Sequence, residues 1–294
     1  MNRPLRAVLG AAVVVLLTAS TAAAGTAEIG ATTEIDANAA PSPITLDGIV
    51  LQQAAGAGSY AVPAGGGVVT RFRHRAGAAG GPLTFKVYRP TGVTGQYVVV
   101  ASETRTVAAG VVNAFAVRVP VRAGDVLGLS SASGLALAYG GGAGDVVAGS
   151  AGPGGGDPAV GTTVTTSGGG PGNRLDVAAT VESDADGDGF GDDTQDQCAT
   201  DPRLAGPCPT TQVTKRPAKV VRTAGTKARV KITFRGPAPS VRFTCAVDGG
   251  KAKPCTSPFK RSYGLGRHRV AIVATSQGVR QERPTLVTFR VKRR

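Results

Sequence analysis

Histidine and aromatic residues are scarce in this chain. Its 294 residues include no Trp, one Met and two His, and aromatic residues make up 4% of the sequence. Without Trp there is no indole ring to stack on sugars, which weakens a lectin or glycosidase interpretation. The H-E-x-x-H, G-x-S-x-G and P-loop signatures are absent as well. We therefore predict that the protein is not an enzyme.

The two histidines are the remaining candidates for acid–base chemistry. His74 lies in Arg71-Phe72-Arg73-His74-Arg75, where neighbouring cations disfavour a charged imidazole, and His268 lies between Arg267 and Arg269. Either residue could act as a general base, but a histidine on a strand face is the simpler interpretation. A secreted hydrolase in residues 44–182 stays open as an alternative, because the sequence does not show whether two acids converge there as a catalytic pair.

Long apolar runs are absent except near the N-terminus. Arg3 and Arg6 precede an apolar stretch at residues 7–17, and Ala22-Ala23-Ala24 follows it. This is the layout of a secretory signal with cleavage before Gly25. The stretch is too short for a comfortable transmembrane span. We expect residues 1–24 to be removed and the mature chain to be extracellular or on the cell surface, without a transmembrane segment.

Cysteine is also scarce, and its four copies fall in two close pairs. Cys198 and Cys208 are ten residues apart, and so are Cys245 and Cys255. An even number of cysteines in an exported chain indicates disulfides, and four cysteines allow three connectivities. We favour the two local bridges, of which the second would close a hairpin around Asp248-Gly249-Gly250. Zinc ligation is disfavoured, because there is no C-x-x-C and no His at zinc spacing.

The net charge of +14 conceals three regions of different charge. Residues 25–182 are nearly neutral, residues 183–210 hold seven Asp and one Arg, and residues 211–294 hold 21 Lys and Arg against two acids. A field as positive as that of the last region favours anionic polymers. An anionic cell-wall polymer or polysaccharide is therefore a candidate partner, and no specific nucleic-acid motif accompanies the charge.

Alternating apolar positions predict β-structure on both sides of the acidic region. The alternation is clear at residues 83–88, 115–121 and 175–181, and again at residues 229–234 and 241–247. Period-two patterning gives each strand one buried face. Short strands between Gly-rich turns favour packed antiparallel sheets. We predict an all-β fold with a flexible lead-in at 25–43, a jelly-roll-like β-sandwich at 44–182, an Asp-rich linker at 183–210 and an immunoglobulin-like sandwich at 211–294.

The last of these regions resembles a known module. The stretches that carry the resemblance are Phe243-Thr244-Cys245-Ala246-Val247-Asp248-Gly249-Gly250, Pro254-Cys255-Thr256-Ser257-Pro258 and Gly266-Arg267-His268. They are similar to the F-x-C-x-x-D-G, P-C-x-S-P and G-x-H motifs of bacterial extracellular immunoglobulin-like modules. Ser276-Gln277-Gly278 replaces the usual Gly-Asn loop. The resemblance implies a disulfide-stapled sandwich used as a spacer or adhesive module.

The acidic linker carries the strongest chemical signal. Asp184, Asp186 and Asp188 stand at positions 1, 3 and 5 of a loop, with Gly189 at position 6. Carboxylates at alternate positions of a tight turn can converge on Ca²⁺, which takes six to eight oxygen ligands. The backbone carbonyl of Phe190 would serve at position 7. The sequence therefore predicts a calcium-binding linker.

This loop resembles a thrombospondin type 3 repeat more than an EF-hand. Position 12 is Gln195 instead of the EF-hand Glu, whereas D-x-D-G-D-G-x-x-D followed by Asp and Cys is the repeat's pattern. The resemblance implies Ca²⁺ ligands at Asp184, Asp186, Asp188 and Asp192. The closing ligand stays open between Asp193 and Asp196. We expect an affinity on the order of 10⁻⁴–10⁻³ M, as in extracellular modules.

Together these features predict a secreted, non-catalytic surface or matrix protein. Its role would be adhesion or spacing, with a structural calcium site between two sandwiches. One alternative is a polyanion-binding protein that acts through residues 211–294. The other is the hydrolase in residues 44–182.

Overall fold

The computed structural model describes residues 25–42, 48–55, 59–131, 134–150 and 156–294. The predicted signal peptide, residues 1–24, lies outside the described residues. The described chain is almost entirely β-structure in sandwich-like sheets, which confirms the predicted all-β fold. No helix in this part of the chain has the length and apolarity that a membrane span requires.

The elements of the first half are short strands and one helical turn. They are β1 (Thr26–Gly30), α1 (Thr32–Asp36), β2 (Gly48–Ala54), β3 (Gly67–Arg75), β4 (Gly81–Pro90), β5 (Gln96–Val107), β6 (Val112–Val121), β7 (Val126–Ser131), β8 (Ala138–Gly140), β9 (Val146–Ser150), β10 (Thr163–Thr165), β11 (Ser167–Pro171), β12 (Asn173–Leu175) and β13 (Ala178–Glu182).

Two of the sheets in this half enclose its main core. One has the strand order β1-β13-β3-β6 and the other the order β10-β5-β4-β7-β2-β9-β11, while β12 and β8 form a separate pair. Phe72 of β3 stacks on Phe85 of β4 across the interior, with ring centroids 4.6 Å apart. Val119 and Leu129 belong to the same buried cluster. Alternate residues of both sheets thus point inward, as the period-two pattern requires.

The flexible lead-in was predicted at residues 25–43, but the described part of this segment, residues 25–42, contributes structure to the first sandwich. β1 pairs antiparallel with β13, from Thr26 opposite Glu182 to Gly30 opposite Ala178. Ile35 of α1 is buried in the same core. The Ala- and Thr-rich composition did not predict this strand, because β1 is stabilised by pairing with a strand far along the chain. The lead-in prediction was wrong for these residues.

Strand β4 departs from the expected single buried face. Lys86 stands at an alternating polar position, yet it is fully buried. Its Nζ donates to Asp157 Oδ1 at 2.9 Å, to the Pro158 carbonyl at 2.9 Å and to Ser102 Oγ at 3.1 Å. The segment around Asp157 covers the outer face of the sheet here, and its three acceptors replace the water that the ammonium group loses.

The second half forms another pair of sheets. Its strands are β14 (Gln212–Lys215), β15 (Val220–Thr223), β16 (Lys227–Arg235), β17 (Arg242–Val247), β18 (Lys253–Cys255), β19 (Phe259–Gly264), β20 (Gly266–Ser276), β21 (Val279–Arg280) and β22 (Thr285–Arg293).

The sheets β14-β16-β19 and β15-β22-β20-β17-β18 share a second core, and β21 pairs with β20. Tyr263 of β19 meets Phe289 of β22 edge to face, with ring centroids 4.9 Å apart. In β16, Val230 and Ile232 are buried whereas Arg229 and Lys231 are exposed. The strands therefore have one apolar and one cationic face, as the sequence predicts.

Candidate metal centre

The acidic linker folds into a loop that gathers three of the predicted ligands. One carboxylate oxygen from each of Asp184, Asp186 and Asp188 lies within 4.8 Å of the others. Gly187 and Gly189 have φ values of 76° and 83°, a left-handed conformation that a side chain would disfavour. These two glycines let the chain turn back on itself between the aspartates.

Asp184 organises the turn through its own carboxylate. Oδ1 accepts hydrogen bonds from the amides of Gly187 at 2.9 Å and Asp188 at 3.1 Å, and Oδ2 accepts one from Gly189 at 3.0 Å. The amide of Phe190 donates to Asp188 Oδ1 at 2.8 Å. The loop is thus shaped by its acidic side chains, in the manner of Asx turns.

Asp196 approaches this loop from the far end of the acidic stretch. The residue is 5% exposed; its Oδ1 accepts a hydrogen bond from the Cys198 amide at 2.7 Å. Its Oδ2 is buried and has no hydrogen-bond partner among the described residues. Burial raises the pKa of the Asp196 carboxyl; the Cys198 amide opposes this, and the charges of Asp188, Asp192 and Asp184 raise it further.

Asp186 lies in surroundings similar to those of Asp196. Its Oδ2 is buried and lacks a hydrogen-bond partner in the described structure. Burial raises the pKa of its carboxyl, and the charges of Asp188, Asp196 and Asp184 add to the rise, against the Asp188 amide. The four carboxylates therefore act on one another as a single electrostatic group.

The remaining predicted ligands have different surroundings. Asp192 accepts hydrogen bonds from the Ser183 hydroxyl at 2.6 Å and the Ala185 amide at 3.2 Å, beside the loop. Asp193 instead accepts a hydrogen bond from the Thr26 hydroxyl of β1. Of the two candidates for the closing ligand, Asp196 is the one whose charge acts on Asp184, Asp186 and Asp188.

Phe190 fastens the loop to the first sandwich by its side chain. The guanidinium of Arg118 lies 4.1 Å from the centroid of the Phe190 ring, within the range of a cation–π contact. Gln195 Nε2 donates to the Val117 carbonyl of the same strand, β6, at 2.7 Å. Both contacts hold the linker against the edge of the four-stranded sheet.

Glu182 is a residue of this site that the sequence did not reveal. It is 1% exposed and ends β13. Oε2 accepts hydrogen bonds from the amides of Asp193 at 3.0 Å and Thr194 at 2.9 Å, and Oε1 accepts them from the hydroxyls of Thr194 at 2.7 Å and Thr70 at 2.8 Å. The only available signal was an acid at the end of an apolar strand.

The linker reaches the second sandwich through its disulfide. The structure contains both local bridges, Cys198–Cys208 and Cys245–Cys255. Cys198 packs in a small buried cluster with Leu204 of the linker and Val279 of β21. The linker therefore contacts the first sandwich with its aspartate loop and the second with its disulfide.

The donor set fits a calcium ion. All of the side-chain ligands are carboxylates, the hard oxygen donors that Ca²⁺ prefers. A cation would bind the unpartnered oxygens of Asp186 and Asp196. Buried polar atoms without a partner are otherwise energetically costly. The mutual repulsion that raises their pKa values would be relieved by the same ion.

The structure places the two histidines in different surroundings. His74 is fully buried, with Nδ1 2.7 Å from the Asp176 carbonyl and 3.5 Å from Asp176 Oδ2. Burial lowers the pKa of His74 to about 4 and raises that of Asp176 to about 7. His268 Nδ1 lies 2.8 Å from Asp248 Oδ2, and its Nε2 lies 2.9 Å from the Gly264 carbonyl. Both rings serve as parts of hydrogen-bonded pairs within the sandwiches.

Comparison with known proteins adds little to this picture. No family model matches the chain, and no curated protein does either. The fibronectin(III)-like modules of Clostridium thermocellum CbhA are 21% identical and cover 29% of this chain and 98% of theirs, with a TM-score of 0.23. The Endo-D glycoside hydrolase domain of Streptococcus pneumoniae R6, Spr0440, is 13% identical and covers 84% of this chain, with a TM-score of 0.20. This chain spans 32% of that second structure. Similarity at this level carries no argument about function.

Proposed function

We propose that this protein is a secreted, non-catalytic surface or matrix protein that acts in adhesion or as a spacer. A calcium ion held by Asp184, Asp186, Asp188 and Asp196 would fix the junction between its two sandwiches. Asp192, which the resemblance to the repeat implies, and the Phe190 carbonyl at position 7 of the loop would complete the ligand set. Two disulfides fit the oxidising compartment that this role requires.

The observation that carries this proposal is the state of Asp196. A carboxylate that is 5% exposed, with one unpartnered oxygen and three aspartates nearby, is unfavourable without a compensating cation. Because Asp196 lies two residues before Cys198, a cation there would join the aspartate loop to the disulfide that packs on β21. Calcium would supply positive charge and a fixed set of bonds at this point.

The spacer role is supported by the contacts on both sides of the linker. Glu182 and Gln195 hold it to the first sandwich. On the other side, Cys198 and Leu204 of the linker pack against Val279 of β21. A linker anchored at both ends transmits orientation, whereas a free one would not.

Equilibrium dialysis of the mature chain, residues 25–294, against calcium tests the proposal. We expect uptake of one ion with a dissociation constant on the order of 10⁻⁴–10⁻³ M. Asp196→Asn should weaken binding by roughly tenfold or more, since it removes a charged ligand. Asp193→Asn is the matched control, because it removes the same charge from the same linker, and it should change the constant less than about threefold. Absence of uptake, or an equal effect of both substitutions, would refute the site.

A further inference from the structure

The second sandwich has a groove whose charged lining is almost entirely cationic. The groove has a volume of about 780 Å³ and runs between the segment before β15 and the strands β22 and β20. Its basic residues come from separate parts of the sequence. They are Arg216, Lys219, Arg267, Arg269 and Arg290, and all five are exposed.

These cations have no acidic partners in the described part of the chain. None of the five forms an ion pair there. Asp248 is the one carboxylate among the lining residues, and it is already engaged by His268 at 2.8 Å and by the Arg269 amide at 2.8 Å. The groove therefore keeps a strongly positive field toward solvent.

Two arginines of the groove lie opposite each other and repel each other electrostatically when no ligand is bound. Arg267 of β20 and Arg290 of β22 are direct cross-strand partners, and both are exposed. Directly opposed side chains have Cβ atoms about 5 Å apart, and like charges at such positions destabilise a sheet. Arg269 follows two residues after Arg267 and so projects from the same face of the strand. Three guanidinium groups thus share one side of the sheet without neutralisation.

We propose that this groove binds an acidic polysaccharide, with Arg267 and Arg290 as the central contacts. Guanidinium groups bind carboxylate and sulfate oxygens through paired hydrogen bonds, and an anionic chain lying across β22 and β20 would neutralise the opposed pair. The aromatic lining residue, Phe289, is 4% exposed and faces the core. The groove therefore lacks the exposed rings on which the bases of single-stranded nucleic acids stack.

This binding surface is independent of the calcium site. Every residue named for it lies in residues 216–290, whereas the proposed calcium ligands lie in residues 184–196. Failure of the calcium titration would leave the groove untouched. Failure of polysaccharide binding would equally leave the linker site in place.

Binding of heparin oligosaccharides and of polygalacturonate to the full mature chain tests the proposal. The variant Arg267→Gln/Arg290→Gln removes two charges from the groove. The control Arg229→Gln/Lys231→Gln removes two exposed charges from β16, on the other sheet. Each lost charge-assisted hydrogen bond weakens binding roughly tenfold, so the groove variant should lose on the order of 30- to 100-fold in affinity. The control should lose less than about threefold, an effect that salt screens.

A melting curve separates a binding role from a structural one. Because the opposed arginines repel each other, the groove variant should melt at the same temperature as the wild type or higher. Weak binding together with an unchanged or raised melting temperature supports the proposal. An equal loss in both variants would show that net charge alone is responsible and would overturn it. Binding of duplex DNA in preference to both polysaccharides, or no binding at low salt, would also overturn it.

Discussion

Glu182 and Thr194 are joined by two hydrogen bonds, since the carboxylate accepts both the amide of Thr194 at 2.9 Å and its hydroxyl at 2.7 Å. Thr194 belongs to the acidic linker, whereas Glu182 ends the last strand of the first sandwich. Gly191 lies so close that a Cβ atom there would stand 2.5 Å from Glu182 Oε2. The linker is therefore packed onto the sandwich through one buried carboxylate.

Replacing this carboxylate should loosen the linker. Glu182→Gln turns an amide group toward two of the four hydrogen-bond donors that now face Glu182. Buried donors left without acceptors cost about 1–3 kcal/mol each, so we expect a loss of about 2 kcal/mol or more in the free energy of unfolding. Urea unfolding with a chelator present measures this without interference from bound metal. Glu282→Gln, an exposed substitution, is the control and should change stability by less than about 0.5 kcal/mol. Equal behaviour of the two variants would contradict the docking role of Glu182.

The buried pair His74 and Asp176 predicts an unusual dependence of stability on pH. The pKa of Asp176 is raised to about 7, so its contribution to stability is full at low pH and is lost as pH rises through that value. The pKa of His74 is lowered to about 4, so its contribution is full above the unfolded value and is lost as pH falls. The two slopes oppose each other between about pH 4 and 6.5.

Asp176→Asn removes one of these opposing slopes. The stability of the variant, measured relative to the wild type, should rise as pH increases from 4 to 7. Urea unfolding at several pH values measures this difference, and His74→Gln is the complementary variant with the opposite trend. A difference that stays constant with pH would show that Asp176 titrates normally.

His268, in the second sandwich, predicts a dependence of stability on pH that is opposite to that of His74. Burial alone would lower its pKa, but the hydrogen bonds to Asp248 and the Gly264 carbonyl outweigh this and raise the pKa. Its contribution to stability is therefore full below the unfolded value of about 6.5 and is lost as pH rises through the folded pKa.

The gap in stability between the wild type and His268→Gln should accordingly be widest near pH 5.5 and narrow toward pH 8. Titration of the His268 ring followed by nuclear magnetic resonance provides the independent check. A folded pKa below that of an unstructured peptide would contradict the prediction.

Sequence patterns predicted the positions of the strands better than the contacts that each strand makes with distant segments. Alternation located β4, β6, β16 and β17, although every second residue is buried only in β6 and β16, and β4 is buried on both faces. It could not reveal β1, whose order depends on distant β13, nor the burial of Lys86, which depends on a segment that folds over the sheet from residues 157–158. Both errors come from contacts between segments far apart in the chain.

In the candidate site, too, the sequence predicted local features but not contacts between distant residues. Spacing alone identified Asp184, Asp186 and Asp188, because alternate positions of one turn are local geometry. The sequence left the closing ligand open between Asp193 and Asp196. The structure places Asp193 beside Thr26 and places Asp196 where its charge acts on Asp186. The sequence did not predict the role of Glu182 either, because that role also depends on the path of the linker.

Thermal unfolding of the mature chain in 10 mM calcium, compared with the same chain in a chelator, tests the central claim most directly. At ten to a hundred times the dissociation constant, a bound ion stabilises by about 1.4–2.7 kcal/mol, which corresponds to a rise of about 3–10 °C in melting temperature. Asp196→Asn should reduce the rise by about half or more, because tenfold weaker binding lowers the stabilisation at the same calcium concentration. Magnesium should also produce a smaller rise than calcium. A melting temperature that is the same in calcium and in chelator would contradict the existence of a cation site at the junction.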